Sequence, residues 1–207
     1  MNWYIIAALA ALLICIISFA FQFFNLIKAG APRDLSEKSG DLSGAILYSY
    51  TKAMMPKHKE SAYLHMPTYA AGLIYHMGTF LSLALFVALL IFRFAGVEIP
   101  GIISLSIAVL LIITSLSGFG ILLKRIVKKD LRYLSGPDDY ISNLLTTMIQ
   151  LLSALYLLFP ATEPVYFVFA ALLFLWMPVG KTKHVLYFFS ARYHLGYFYG
   201  WRGTWPE

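Results

Sequence analysis

Charge is the scarcest property of this chain. Only 13% of its 207 residues are Asp, Glu, Lys or Arg, whereas 60% are hydrophobic and the mean hydropathy is +0.73. Soluble domains carry about 25% charged residues, so the composition excludes an ordinary soluble domain. The sequence predicts an integral membrane protein.

Cysteine is nearly absent as well. Cys15 is the single cysteine, which excludes a disulfide framework and a thiolate metal site. The uncharged stretches contain no nucleophile–base arrangement, no Gly-rich phosphate loop and no paired carboxylates. We therefore expect no catalysis by this chain alone. Whether it serves as a subunit of a larger enzyme is left open by these absences.

Uncharged stretches are long and numerous. A stretch of roughly 20 apolar residues crosses about 30 Å of hydrocarbon as a helix. We predict an all-α membrane protein, a single domain that is a bundle of five transmembrane helices. The predicted helices cover about 4–27, 68–93, 100–123, 140–159 and 164–187, with a cytoplasmic loop at 28–63 and a cytoplasmic tail at 188–207.

Lys and Arg lie almost entirely on one side of these helices. Of the sixteen, only Arg93 lies beside an outer turn. Because cytoplasmic loops carry the excess of positive charge, the N-terminus is predicted outside and the C-terminus in the cytoplasm. The net charge of +6 therefore indicates topology, and nucleic acid is not expected as a partner. The expected location is the lipid bilayer of a prokaryotic cytoplasmic (inner) membrane.

Two histidines occupy matched positions on predicted helices. At about 1.5 Å per residue, His76 and His184 fall at about the same depth, near the cytoplasmic edge of the hydrocarbon. Two imidazoles on antiparallel helices suit the axial positions of a low-spin heme b iron. Zinc would need four ligands, which this depth does not supply. The alternative is that His76 hydrogen-bonds a Tyr or Ser of a neighbouring helix.

The remaining histidines support weaker hypotheses. His65 and His194 also match in depth, further toward the cytoplasm, and are either a second heme-ligating pair or interfacial polar residues. His58 is predicted to be a solvated surface residue. Small residues beside His76, namely Gly72 and Gly78, are predicted to leave room for a flat macrocycle.

Anionic propionates and a quinone would need further partners. Arg125, Lys181 and Arg192 are candidates to pair with propionates of a heme, although the positive-inside preference alone also accounts for them. A quinone needs an apolar slot with one or two hydrogen-bonding groups. The candidates within the predicted helices are Tyr69, Tyr75, Ser82 and Gln150.

Three segments carry a resemblance to a known family. They are "GLIYHMG" (72–78), "LLKRIVKKDLRYLSGPDDYIS" (122–142) and "MPVGKTKH" (177–184). The chain resembles the cytochrome b gamma subunit of respiratory nitrate reductase and its relatives in heterodisulfide reductase and in sulfite-reduction-associated membrane complexes. The tail "FFSARYHLGYFYGWRG" (188–203) is most similar to the latter two.

The resemblance implies five helices and an electron-transfer role. It makes His76 and His184 the ligands of a heme near the cytoplasmic face, and it puts Phe86 and Tyr166 where the family holds a second, outer heme. Neither side chain suits that role, so we expect the outer heme to be absent and its site to be filled by side chains. The implied partners are menaquinone or a similar quinone and a cytoplasmic iron–sulfur oxidoreductase subunit. The alternative is a heme-free membrane anchor for a cytoplasmic complex.

Overall fold

The computed structural model describes residues 2–30, 35–58 and 60–205. Nine α-helices, and no β-strand, occur in this part of the chain, which confirms the predicted all-α class. Arg33 and Lys59 of the predicted loop lie outside the described residues. The helices are α1 (Trp3–Ala29), α2 (Leu42–Tyr50), α3 (Glu60–Leu64), α4 (Met66–Ala95), α5 (Gly101–Val127), α6 (Lys129–Tyr133), α7 (Pro137–Leu158), α8 (Glu163–Trp176) and α9 (His184–Trp201).

Four helices are long and apolar enough to cross a membrane, namely α1, α4, α5 and α7. They coincide with the first four predicted spans. Many apolar side chains of α1, α4 and α5 are exposed along the helix surfaces, as expected for helices whose solvent is hydrocarbon, whereas α7 is more deeply buried. The chain therefore has the character of an integral membrane protein.

The fifth predicted helix differs from the structure. Instead of one helix over 164–187, α8 ends at Trp176 and α9 begins at His184, so only the broken pair would make a fifth span. The 14 residues of α8 extend only about 21 Å at 1.5 Å per residue. The break coincides with Pro178, which lacks the N–H that a continuing helix would use.

The chain divides into two compact units, whereas the sequence predicted one domain. The first unit comprises Met1–Ile16 and Pro67–Thr182, and the second comprises Ile17–Met66 and Lys183–Glu207. The predicted loop 28–63 and tail 188–207 therefore supply much of the second unit. Their helices α2 and α9 pack on each other, which explains why these segments form a unit rather than irregular connections.

In the first unit, α5 packs along α7 and α7 packs along α8. An ion pair fixes one end, because Arg93 of α4 contacts Glu163 of α8 at 2.8 Å. The Tyr4 hydroxyl of α1 donates to the same carboxylate at 3.0 Å. The start of α1, the end of α4 and the start of α8 therefore meet at one end of this unit.

The buried face of α7 is polar. Its buried polar residues recur every three or four positions, which places them along one side of the helix. They are Asp139, Ser142, Asn143, Thr146, Thr147, Gln150 and Ser153. Polar side chains in a membrane helix turn toward the bundle interior, because hydrocarbon offers them no hydrogen bonds.

In the second unit, α2 and α9 approach through small residues. Gly196 and Gly200 of α9 are buried, and so are Ala45 and Ser49 of α2, each pair four residues apart. This spacing puts small residues on one face and lets two helix backbones come close together. The Ser49 hydroxyl donates to the carbonyl of Arg192 at 2.8 Å across this contact.

A Gly196→Ala variant is expected to loosen the α2–α9 pair. The added Cβ would lie 2.6 Å from the Ile46 Cα, and overpacking of this kind costs about 1–3 kcal/mol. Limited proteolysis of the purified protein should cleave α9 faster in the variant than in the parent. Gly120→Ala is the matched control, since a Cβ there meets nothing within 4 Å. Equal cleavage rates in both variants would contradict the close contact.

Candidate functional site

His76 lies on the exposed side of α4. Gly78, two residues later and therefore about 200° around the helix, is buried, and so is the adjacent Tyr75. The imidazole therefore points away from the polar core of the first unit.

The hydrogen bond of His76 fixes its tautomer. The ring Nδ1 lies 2.6 Å from the carbonyl oxygen of Gly72, one turn earlier in α4. Because a carbonyl only accepts, Nδ1 is the donor in this contact, and in the neutral ring the lone pair is then on Nε2. Histidines that ligate a metal through Nε2 commonly donate Nδ1–H to a carbonyl, which orients the ring and raises its basicity.

Gly78 does not leave room for a macrocycle, contrary to the expectation from sequence. It is buried, and a Cβ at this position would collide with the side chains of Thr114 on α5 and Gln150 on α7. Its smallness lets three helices approach one another. Gly72, by contrast, has nothing within 4 Å of the position that a Cβ would take.

The other histidines lie in the second unit. His184 is the first residue of α9 and is exposed. His65 lies at a turn between α3 and α4, while His194 lies in α9, and both are exposed. His58 is exposed too, as predicted, and its ring contacts Tyr48 at 6.2 Å between centroids.

Two of the candidate propionate partners converge on a carboxylate of the chain itself. Arg125 of α5 lies 3.1 Å from Asp139 of α7, and the Lys181 ammonium contacts the same oxygen. Asp139 also accepts the Gly136 N–H at 3.0 Å, closing the start of α7. Arg125 and Lys181 therefore join the ends of α5 and α7 to the segment after α8.

Arg192, the third candidate, lies in the second unit. Its guanidinium contacts the Met54 sulfur and lies 5.8 Å from the centre of the Phe188 ring. A guanidinium over an aromatic face is stabilised by the ring quadrupole. Arg192 has no carboxylate partner within 4 Å among the described residues, which distinguishes it from Arg125 and Lys181.

Phe86 and Tyr166 lie in one aromatic cluster of the first unit. Both are buried, and their ring centroids are 6.2 Å apart. Phe86 also contacts Phe174 edge-on at 4.8 Å, and Tyr156 stacks on Tyr166 at 5.2 Å. The two positions assigned to outer-heme ligands by the resemblance therefore share one packed cluster that joins α4 to α8.

Three of the candidate quinone residues belong to the buried polar network. The Tyr75 hydroxyl donates to the carbonyl of Asn143 at 3.0 Å. The Gln150 amide donates to the Thr79 hydroxyl at 2.9 Å, and Ser82 donates back to the Gly78 carbonyl at 2.9 Å. The Tyr75 and Gln150 bonds join α4 to α7, whereas the Ser82 bond lies within α4.

No protein-family model, curated protein or solved structure matches this chain. Within the described ranges, no three His, Cys, Asp or Glu residues form a group that would hold a metal ion. An axially ligated heme needs only two protein ligands.

Proposed function

We propose that this protein is a membrane cytochrome b subunit, with one heme b near the cytoplasmic face ligated by His76 and His184. It relays electrons between the quinone pool and a cytoplasmic iron–sulfur oxidoreductase partner, as an electron-transfer subunit rather than a catalyst alone. The proposal includes five spans, the N-terminus outside and a prokaryotic cytoplasmic membrane.

The observation that carries the proposal is the geometry of His76. An imidazole on the exposed side of a membrane helix is costly unless it has a function or a partner. With Nδ1 occupied by the Gly72 carbonyl at 2.6 Å, a neutral His76 ring carries its lone pair on Nε2. A histidine that holds a heme iron would use that lone pair, and the resemblance of "MPVGKTKH" (177–184) to the family's helix-5 end makes His184 the proposed second ligand.

The aromatic cluster favours the proposal of one heme over two. Phe86 and Tyr166 are both less than 2% exposed, so the volume between them is filled by packed rings. One heme near the inner face does not bridge the bilayer by itself. The proposed electron exchange with quinone therefore takes place on the cytoplasmic side of the membrane, and charge transfer across the bilayer is not part of the proposal.

The cations of the cytoplasmic side have two proposed roles. Arg192 is the best placed of the three to pair with a propionate, since Arg125 and Lys181 already share Asp139. The Arg125 and Lys181 side chains keep 30% and 59% of their surface exposed, so each also offers charge to an acidic partner surface. A heme supplies reversible one-electron chemistry when bound, and these residues would fix its orientation.

A quinol reduction assay tests the proposal. The purified protein, reconstituted in liposomes, is mixed anaerobically with a reduced naphthoquinol while absorbance is recorded. We expect the sharp α band of a reduced low-spin b-type heme. A preparation that contains no heme, or whose heme is reduced by dithionite but never by the quinol, would contradict the relay. The first of these results would favour the heme-free anchor.

A further inference from the structure

A cavity of about 400 Å³ lies in the second unit, where the end of α1, the end of α2 and the middle of α9 meet. Its apolar wall includes Phe23, Leu26 and Ile27 of α1 together with Phe189 of α9. Small-molecule sites are typically about 300–1,000 Å³ and mainly apolar, with a few polar groups that fix orientation. The volume and lining of this cavity fit that description.

Polar groups converge on the cavity from α9. Ser190, Tyr193 and His194 all line it, and the Tyr193 and His194 rings lie 5.7 Å apart. Within the described part of the chain, neither the Tyr193 hydroxyl nor the His194 ring makes a hydrogen bond. Tyr50 differs, because its hydroxyl donates to the carbonyl of Phe189.

The position of the cavity beside a candidate membrane helix favours a lipid-soluble ligand. α1 is one of the candidate membrane helices, and its Phe23 and Ile27 side chains are 44% and 57% exposed. Apolar surface at the end of a membrane helix faces acyl chains rather than water. A ligand would therefore reach the cavity from the bilayer, with its apolar part remaining in lipid.

We propose that this cavity binds the ring of a membrane-soluble quinone. Phe23, Phe189 and Tyr193 provide aromatic surfaces on which a flat ring stacks. The Tyr193 hydroxyl and a His194 N–H donate hydrogen bonds to its carbonyl oxygens, and the isoprenoid tail extends along α1. The choice of a quinone over another flat lipid-soluble ring depends on the function proposed above, whereas the cavity and its donors do not.

Titration with a fluorescent quinone-site ligand tests this site. The probe is 2-heptyl-4-hydroxyquinoline N-oxide, whose fluorescence is quenched on binding, and the protein is the purified full chain in detergent. Ser190→Leu puts three additional carbon atoms into the cavity. Ala191→Leu, the adjacent residue in α9, does not line the cavity and is the matched control. We expect Ser190→Leu to raise Kd about tenfold or more, and Ala191→Leu to change it less than about twofold.

Three results would overturn the site. They are equal Kd values for the two variants, the absence of saturable binding to the parent, and a bound heme that is lost on His194→Leu. The last result would make His194 a ligand of a second heme. Heme content is measured on the same samples, so a heme-containing protein that binds no probe refutes the cavity alone. Saturable, Ser190-dependent binding to a heme-free protein supports the cavity and refutes the cytochrome.

A second measurement uses only the parent protein, so it does not depend on the folding of a variant. A photoreactive azido-naphthoquinone is irradiated with the parent protein, and the labelled peptides are identified by mass spectrometry. Labels within 23–27 and 189–194 are expected. Labelling that is confined to α5 and α7 would contradict the assignment and would favour the polar network of the first unit.

Discussion

His76→Leu is expected to purify without heme b. Leucine keeps the apolar bulk of the side chain but removes Nε2, and a bis-histidine heme held in place by axial bonds is released when one ligand is lost. The substitution lies on the exposed side of α4, so the fold should tolerate it. A pyridine hemochrome assay should show at least about a tenfold loss of heme per chain, corresponding to about 1.4 kcal/mol or more of binding free energy.

His58→Leu is the control for the loss of a histidine. His58 is exposed in the second unit and is not a proposed ligand, so this variant should retain the heme content of the parent. His184→Leu should behave like His76→Leu. Heme retained at the parental level in a correctly folded His76→Leu protein would exclude His76 as a ligand, and loss in His58→Leu alone would point to a different site.

Gly78→Ala is expected to destabilise the first unit strongly. The new Cβ would overlap the Thr114 side chain, including its rigid Cβ, and the fully buried Gln150 amide. Both side chains are also held by hydrogen bonds, Gln150 to the Thr79 hydroxyl and Thr114 to the Leu111 carbonyl. Overpacking in a close-packed core costs about 1–3 kcal/mol, so the thermal midpoint in detergent should fall by several degrees.

Gly72→Ala provides the control on the same helix. No atom lies within 4 Å of the position that its Cβ would take, and alanine is favoured over glycine in a helix by about 1 kcal/mol. The thermal midpoint of this variant should therefore stay level or rise. If Gly78→Ala proved as stable as Gly72→Ala, the close approach of α4 to α5 and α7 would be wrong.

The membrane helices were predictable because their signal is local. In hydrocarbon a single uncharged segment satisfies its backbone hydrogen bonds by forming a helix. The helices α1, α4, α5 and α7 therefore follow from the sequence. The prediction of the fifth helix was wrong in its continuity, because the helix breaks near Pro178 within a run whose composition alone fits a span. The hydrogen bond from His76 to Gly72 follows from its i−4 spacing once the helix is known.

Tertiary pairing was the part that sequence reasoning missed. Asp139 attracts Arg125 and Lys181 from distant positions in the chain, and composition does not distinguish such a pairing from a general excess of inner charge. The segment "GYFYG" (196–200) lies within the predicted cytoplasmic tail. Its two glycines, four residues apart, were the signal that α9 packs closely on α2.

The most direct test of the account is the number of heme groups bound by the purified wild-type chain. Pyridine hemochrome absorbance and quantitative amino-acid analysis of the same sample give that ratio. We expect close to one heme b per chain. A ratio close to zero in a folded, monodisperse preparation would contradict the cytochrome assignment, and a ratio close to two would contradict the single-heme arrangement.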